Sequence, residues 1–303
     1  MEAKAPSRRA AAAKSFPRIK RVSARRAVNH SLGGNIATLA VLLLLGIFTL
    51  LPLVYIVSNA FKPMDELFVY PPHFFVRNPT LDNFRDMFTL MNQSWVPFTR
   101  YLFNTLFVTG AGTLGHLFFA SMCAYVLAKH VFPGRDLMFK LVVTSLMFST
   151  AVTSIPTYII ISKLNLLDNY LAIILPAFQS TLGLYLMKQF METLPDSVLE
   201  SARIDGAGEV CVFWRIAMPM VKPAWITLII LMVQSLWNIV SPYTYSEPMK
   251  TMPQAMSQIL AGGIARTGAS SAVALVMMVV PLSLFIFSQS RVIETMSTSG
   301  MKE

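Results

Sequence analysis

Charge is scarce in this chain: Asp, Glu, Lys and Arg make up 13% of 303 residues, about half of the roughly 25% found in an ordinary soluble domain. That deficit excludes a disordered chain, a basic nucleic-acid-binding domain and most soluble enzymes. Cysteine is almost absent, with only Cys123 and Cys211, so there is no disulfide framework. Histidine is equally thin. His30, His73, His116 and His130 are scattered and show no metal-ligand spacing. Neither a Ser-His-Asp nor a paired-carboxylate grouping falls at the level of the apolar segments, which leaves no candidate catalytic residue and no metal site.

Hydrophobic residues, 54% of the chain, fill the space, and they gather in charge-free runs. These are Ile36–Val57, Tyr101–Ala128, Leu141–Ser162, Asn169–Met187, Pro223–Ser246 and Thr267–Ser290. A helix needs about 20 apolar residues to cross the hydrocarbon layer of a bilayer, so six spans are expected. Nine of the 25 Lys and Arg residues precede the first span. The first run is too long for the core of a cleaved signal peptide and reads as an uncleaved span. Basic flanks stay cytoplasmic, and six spans then put both termini inside. Loops assigned in this way carry 18 basic residues inside and 7 outside. The net charge of +10 is thus a matter of topology, and nucleic acid is excluded as a partner.

The expected architecture is an all-α membrane protein. A basic cytoplasmic tail (1–34) leads to a transmembrane domain (35–288) and a cytoplasmic tail (289–303). Spans are placed at about 35–58, 99–128, 138–162, 169–187, 222–243 and 270–288, with external loops at 59–98 and 244–268 and a cytoplasmic loop at 188–221. Five spans contain or begin with proline: Pro52, Pro156, Pro176, Pro223 with Pro242, and Pro281. Proline removes a helix hydrogen bond. These prolines are either the ordinary proline content of membrane helices or the broken helices of a transport pathway.

The 188–221 loop is the most informative stretch. Pro195 and Asp196 suit a first helical turn, and Asp205-Gly206 is a turn pair in which glycine can take the left-handed conformation. A second helix places Val210, Phe213, Trp214 and Ala217 on one apolar face and is expected to stop at Pro219. Small residues at the turn (Ala202, Gly206, Ala207 and Gly208) allow close approach. The loop acids (Glu192, Asp196, Glu200, Asp205 and Glu209) outnumber its bases, which favours a protein partner over a lipid surface.

Glu200-Ser201-Ala202, then Gly206 after three residues, Ile216 after nine more and Pro219 after two more, resembles the EAA loop of ABC importer permeases. Ser201 and Met218 depart from its alanine and leucine. Further matches run from span one to the tail: Asn59-Ala-Phe-Lys-Pro, Phe103-Asn-Thr-Leu, and Ala124-Tyr-Val-Leu-Ala before Phe132-Pro-Gly-Arg. They are similar to binding-protein-dependent carbohydrate-importer permeases, of the type of the smaller permease subunit of the maltose transporter. Thr295 and Ser299 stand where glycines are usual.

The resemblance implies a type I importer permease that performs no chemistry and binds no cofactor itself. ATP and Mg would sit on a separate dimer of ATP-binding cassette ATPases. A second permease subunit would complete the pore in the lipid bilayer of a bacterial cell, and an extracytoplasmic sugar-binding protein would deliver the solute. It carries an ATPase-coupling role onto Glu200, Ser201, Ala202, Asp205, Gly206, Ala207, Gly208, Ile216 and Pro219. Gly262-Gly263 in the external loop either reaches toward the binding protein or simply connects.

Other features allow two readings. Asn104 and His116 are polar groups inside a span, where they either line the sugar path or bond to a neighbouring helix. Trp237, Asn238 and Tyr243 combine rings with hydrogen bonders, as sugars favour, or they anchor the helix at the membrane interface. Gly110-x-Gly112-x-x-Gly115 spells a dinucleotide fingerprint but lacks the preceding strand, so it reads as close helix packing. The rival function is a stand-alone secondary transporter of a small polar solute, which needs internal repeats and buried ionisable groups. The spans hold essentially none apart from His116.

Overall fold

The computed structural model describes residues 32–299 apart from 93, 94, 262, 264 and 265. The basic tail ahead of residue 32, the last four residues and Gly262 lie outside the described residues. Within them the secondary structure is entirely helical. The chain divides at Leu51–Pro52 into two compact units. The first holds most of α1 (Leu32–Phe61), whose side chains from Ile36 to Leu51 are exposed, with none buried. A helical stretch that is apolar all round and buries no side chain suits lipid, where all its backbone bonds are internal.

The second unit runs through α2 (Met64–Leu67), α3 (Asp82–Asn92), α4 (Phe98–Lys129), α5 (Arg135–Ser145) and α6 (Thr150–Lys163). It continues through α7 (Leu171–Phe178), α8 (Thr181–Glu192), α9 (Asp196–Ile204), α10 (Glu209–Met220), α11 (Lys222–Trp237), α12 (Met252–Leu260) and α13 (Thr267–Ser299). α4 is the hub and packs chiefly on α7, α8 and α11, while α11 also packs on α13. Lipid gives no hydrophobic drive between helices, so they associate where small residues let backbones approach. Gly112 and Gly115 do this: a side chain on Gly112 would strike Leu236, and one on Gly115 would strike the Phe178 ring. Gly110 faces open space, so two of the three glycines pack as expected.

Among the described residues, three core clusters hold the unit, two large ones and a small one at Val108, Ile173 and Ile174. One large cluster joins Tyr101 of α4 to Met87 of α3, Met256 of α12 and Ala272 of α13. The other large cluster joins Ala124 and Tyr125 near the far end of α4 to Met187, Leu199, Phe213, Ala217 and Leu228. The 188–221 loop is therefore packed into the bundle rather than hung from it.

Among the described residues, four helices are long and apolar enough to cross a membrane: Gly33–Phe61, Phe98–Lys129, Leu171–Glu192 and Thr267–Gln289. A fifth is added if Glu209–Met220 and Lys222–Trp237, bent by 79°, count as one span. The segment expected to span at 138–162 is two helices, α5 and α6, separated at Leu146–Ser149. Ser149 caps α6 by accepting the Ala151 N–H at 3.3 Å, a start signal that competes with a continuous helix. The fourth expected span breaks between α7 and α8 just after Pro176. α11 ends at Trp237 rather than at 243, because Pro242 withdraws a donor and restricts Ser241 before it.

Candidate functional site

α9 closes on a left-handed glycine, Gly206, with φ +86°. The Gly206 N–H donates to the Arg203 carbonyl and the Ala207 N–H to the Ala202 carbonyl, both at 3.0 Å. These two bonds are the paired closure that a glycine after the C-cap makes possible. They give Ala202, Gly206 and Ala207 a backbone reason to stand where they do. Gly208 has an ordinary φ of −69° and starts α10.

The turn is stapled from outside. Arg203 Nε donates to Glu209 Oε1 at 2.7 Å and its Nη2 to Oε2 at 3.3 Å, a bidentate pair that links the end of α9 to the start of α10. The bond from Arg203 chiefly holds the Glu209 carboxyl below its ordinary range, and the same pair raises Arg203. Tyr125 Oη donates to Glu209 Oε2 at 3.3 Å, and His130 Nε2 lies 3.6 Å from the same oxygen. Lys129 Nζ donates to the Leu194 carbonyl at 2.6 Å and to Asp196 Oδ1 at 2.7 Å. The last turn of α4 thus grips both halves of the loop. Sequence reasoning missed Tyr125, Lys129 and Arg203 in this role. A cation at a helix C-terminus followed by an acid some 65 residues later carries no local signature.

α10 departs from expectation. Its middle, Phe213–Ala217, is a π-helical turn. It contains Arg215, whose carbonyl the Pro219 ring would clash with in a regular helix. Pro219 therefore does not stop the helix, which runs on to Met220 and breaks at Val221. The wider turn also shifts the register of the expected apolar face. Phe213 and Ala217 are buried, but Val210 is 73% and Trp214 45% exposed. Ile216 is half-buried against the core, and Pro219 is exposed. On α9, Leu199 is buried beneath the exposed Glu200, Ser201 and Asp205. Ile204 beside them is 85% exposed. The exposed tip is thus apolar and acidic at once.

The candidate path residues are dispersed. Asn104 is fully buried. It donates to the Pro248 and Lys250 carbonyls, both at 2.8 Å, and accepts the Tyr170 hydroxyl at 2.7 Å. Both its donors tie α4 to the 247–251 turn, and its acceptor ties α4 to Tyr170 at the start of α7. His116, also buried, uses Nδ1 on the Phe178 carbonyl at 3.0 Å, just where α7 breaks, and its Nε2 has no partner. Trp237 is buried and donates from Nε1 to the Met277 carbonyl at 3.0 Å.

Asn238 is exposed at the end of α11. Tyr243 lies beyond α11, stacked on Tyr158 with centroids 6.3 Å apart. Asp168 pins that segment by accepting the N–H groups of Tyr245 and Ser246 at 3.1 and 3.0 Å. Partial burial raises the Asp168 carboxyl, but these bonds outweigh it and leave it below its ordinary range. No group of three or more His, Cys, Asp or Glu able to hold a metal ion occurs among the described residues.

Comparison with known proteins places these features. The family model described as "Binding-protein-dependent transport system inner membrane component" matches residues 43–295. Protein LplC of Bacillus subtilis is 38% identical over 198 residues, 64% of this chain and 63% of that protein. The arabinooligosaccharides transport system permease protein AraQ of Bacillus subtilis is 30% identical over 273 residues, 88% of this chain and 96% of that protein. The sn-glycerol-3-phosphate transport system permease protein UgpE of Yersinia enterocolitica is 38% identical over 142 residues. The chain thus spans under two thirds of LplC, half of UgpE and nearly all of AraQ. A solved bacterial ABC transporter involved in the import of the acidic polysaccharide alginate shares the fold. Its matching chain gives a TM-score of 0.74 at 22% identity, covering 86% of this chain and 98% of that one.

Proposed function

The chain belongs to the family of binding-protein-dependent transport system inner membrane components, and from that premise we propose that it is one permease subunit of an ATP-driven sugar importer. Its substrate class is a mono- or oligosaccharide delivered by an extracytoplasmic binding protein. It forms half of the translocation pathway with a second permease in a bacterial plasma membrane. ATP and Mg are bound by a separate ATPase dimer, and this chain performs no catalysis.

The observation that carries the reading is the α9 tip. Glu200, Ile204 and Asp205 stand exposed at the α9 tip, while Lys129 ties the start of α9 to α4, and Tyr125 and His130 hold the start of α10 there through Glu209. A surface pushed by a partner there moves α4 as well. ATP shifts the equilibrium between inward- and outward-facing states only by its differential affinity for them, and a rigid lever makes that difference felt at the pathway. Asn238 and Tyr243, which keep exposed surface, are the better placed of the five candidates to meet solute. Asn104, His116 and Trp237 brace the helices around it.

The test is a mild-detergent pull-down of the tagged chain followed by an ATPase assay. Co-purification of a second permease and an ATPase pair, with hydrolysis stimulated by a sugar-loaded binding protein, is the expected result. Recovery of the chain alone, without ATPase activity, returns the reading to a stand-alone transporter.

A further inference from the structure

The charges of the 188–222 segment sort themselves in space. Glu192, Asp196 and Glu209 pair with Lys188, Lys129 and Arg203. Among the described residues this leaves two acids unpaired on the α9 tip, Glu200 and Asp205. It also leaves two bases, Arg215 and Lys222, unpaired at the elbow where α10 bends 79° into α11.

Two open recesses meet at that elbow and share Trp214. One is walled by Val210 and Arg215 and the other by Leu117, Lys222 and Trp225. Glu209 also borders the first, but Arg203 already neutralises it. Trp225 Nε1 donates to the Met218 carbonyl at 3.2 Å, which fixes that ring at the rim. Trp214 stacks on Phe118 of α4 with centroids 6.1 Å apart. Leu114, Phe118, Met122 and Val126 follow one another every four residues along α4, all exposed. An apolar strip one helix face wide therefore runs straight out of a cationic, tryptophan-rimmed recess.

We propose that this elbow binds an anionic phospholipid of the cytoplasmic leaflet. Arg215 and Lys222 hold the phosphate, and the acyl chains lie along Leu114, Phe118 and Met122. A guanidinium fork and a point-charge ammonium are the two side chains suited to phosphate oxygens. Tryptophan settles at headgroup depth, and cations beside an anionic leaflet each contribute about fivefold to its binding. Charge complementarity selects the occupant, because the recess offers only unpaired cations. The strip calls for hydrocarbon, which a free phosphate does not carry. The inference rests on the membrane-embedded fold and on the cytoplasmic side expected for the 188–221 loop, and stands apart from the transport reading.

The experiment places the tagged chain, with whatever subunits accompany it, in nanodiscs doped with brominated phosphatidylglycerol or brominated phosphatidylcholine. The part of the tryptophan quench that disappears in the Trp214→Phe/Trp225→Phe variant reports on the elbow. Phosphatidylglycerol is expected to quench that part at a several-fold lower mole fraction than phosphatidylcholine. Lys222→Gln and Arg215→Gln should each erode the preference about fivefold, and Lys222→Arg should keep it. Both cations are exposed, so the glutamine variants should assemble normally, as gel filtration will verify. Equal quenching by the two lipids overturns the proposal. Absence of quenching by either also overturns it, since a protein then covers the elbow.

Discussion

Lys129 at the end of α4 reaches Asp196 at the start of α9, Nζ to Oδ1 at 2.7 Å, with the lysine side chain 5% and the aspartate 75% exposed. The asymmetry says which partner needs the other. The carboxylate stands in solvent, whereas the ammonium is desolvated and depends on this bond and on the Leu194 carbonyl. Together they make a fixed joint between α4 and the 188–221 loop.

Breaking that joint should loosen the loop without unfolding the bundle. A hydrogen bond to a charged group contributes about 1.5–3 kcal/mol, so Lys129→Met should raise the population of an open loop about tenfold or more. Limited proteolysis near Pro195 reads this directly. Stimulated ATPase activity should fall while basal hydrolysis persists. An unchanged cleavage rate would remove the joint from the account.

Gly206 is held at φ +86° with open space where a side chain would stand, so within this chain only backbone strain opposes a substitution, and the rest of its tolerance is set by the charge or bulk a docking partner would meet. An ordinary L-residue costs about 1–2 kcal/mol there, and asparagine less. Gly206→Asn should keep more transport than Gly206→Val. Gly206→Asp should insert in the membrane yet lose coupling to ATP. Transport at matched expression levels ranks the three, and equal activity in all of them would contradict the closure.

Glu209 gives the loop a pH dependence of defined sign. Its carboxyl is held below the ordinary value of 4.5, first by the bond from Arg203. The stabilisation is therefore full above about pH 4.5 and is lost as pH falls through the lowered folded value. Loop proteolysis followed from neutral to acid pH should rise in that window. The Glu209→Gln variant should be more susceptible at neutral pH and should lose that acid step.

Asn104 and Asn238 should separate cleanly. Replacing Asn104 by Leu strands the Pro248 and Lys250 carbonyls and the Tyr170 hydroxyl, at about 1–3 kcal/mol for each group left unsatisfied. The melting temperature in detergent should drop by several degrees. Asn238→Ala, at an exposed helix end, should leave melting unchanged and alter the apparent KM for solute several-fold. A reversal of the two outcomes would move the path to Asn104.

Much of the tip was legible because its signals are local. Pro195-Asp196 and Asp205-Gly206 do in the structure what their chemistry demands, and small residues pack at Gly112 and Gly115 as the pattern implied. The apolar face of α10 was not legible. Its register depends on a π turn that answers Pro219, and a 3.6-residue wheel drawn through Val210 and Trp214 passes over it. The helix break inside the segment expected to span at 138–162 was not legible for a similar reason. Hydropathy averages over Ser149, while the backbone starts a new helix there.

By itself the sequence determined the environment, the helical class, and the turn chemistry of the 188–221 segment. Each of these follows from composition or from spacing within a few residues. The tertiary structure alone decided that Lys129 and Tyr125 clamp the loop, that Asn104 braces the 247–251 turn, and that Arg215 and Lys222 are left without acids. Such pairings join residues far apart in the chain. Hydrogen bonds and charge depend on distance in space, which no local pattern encodes.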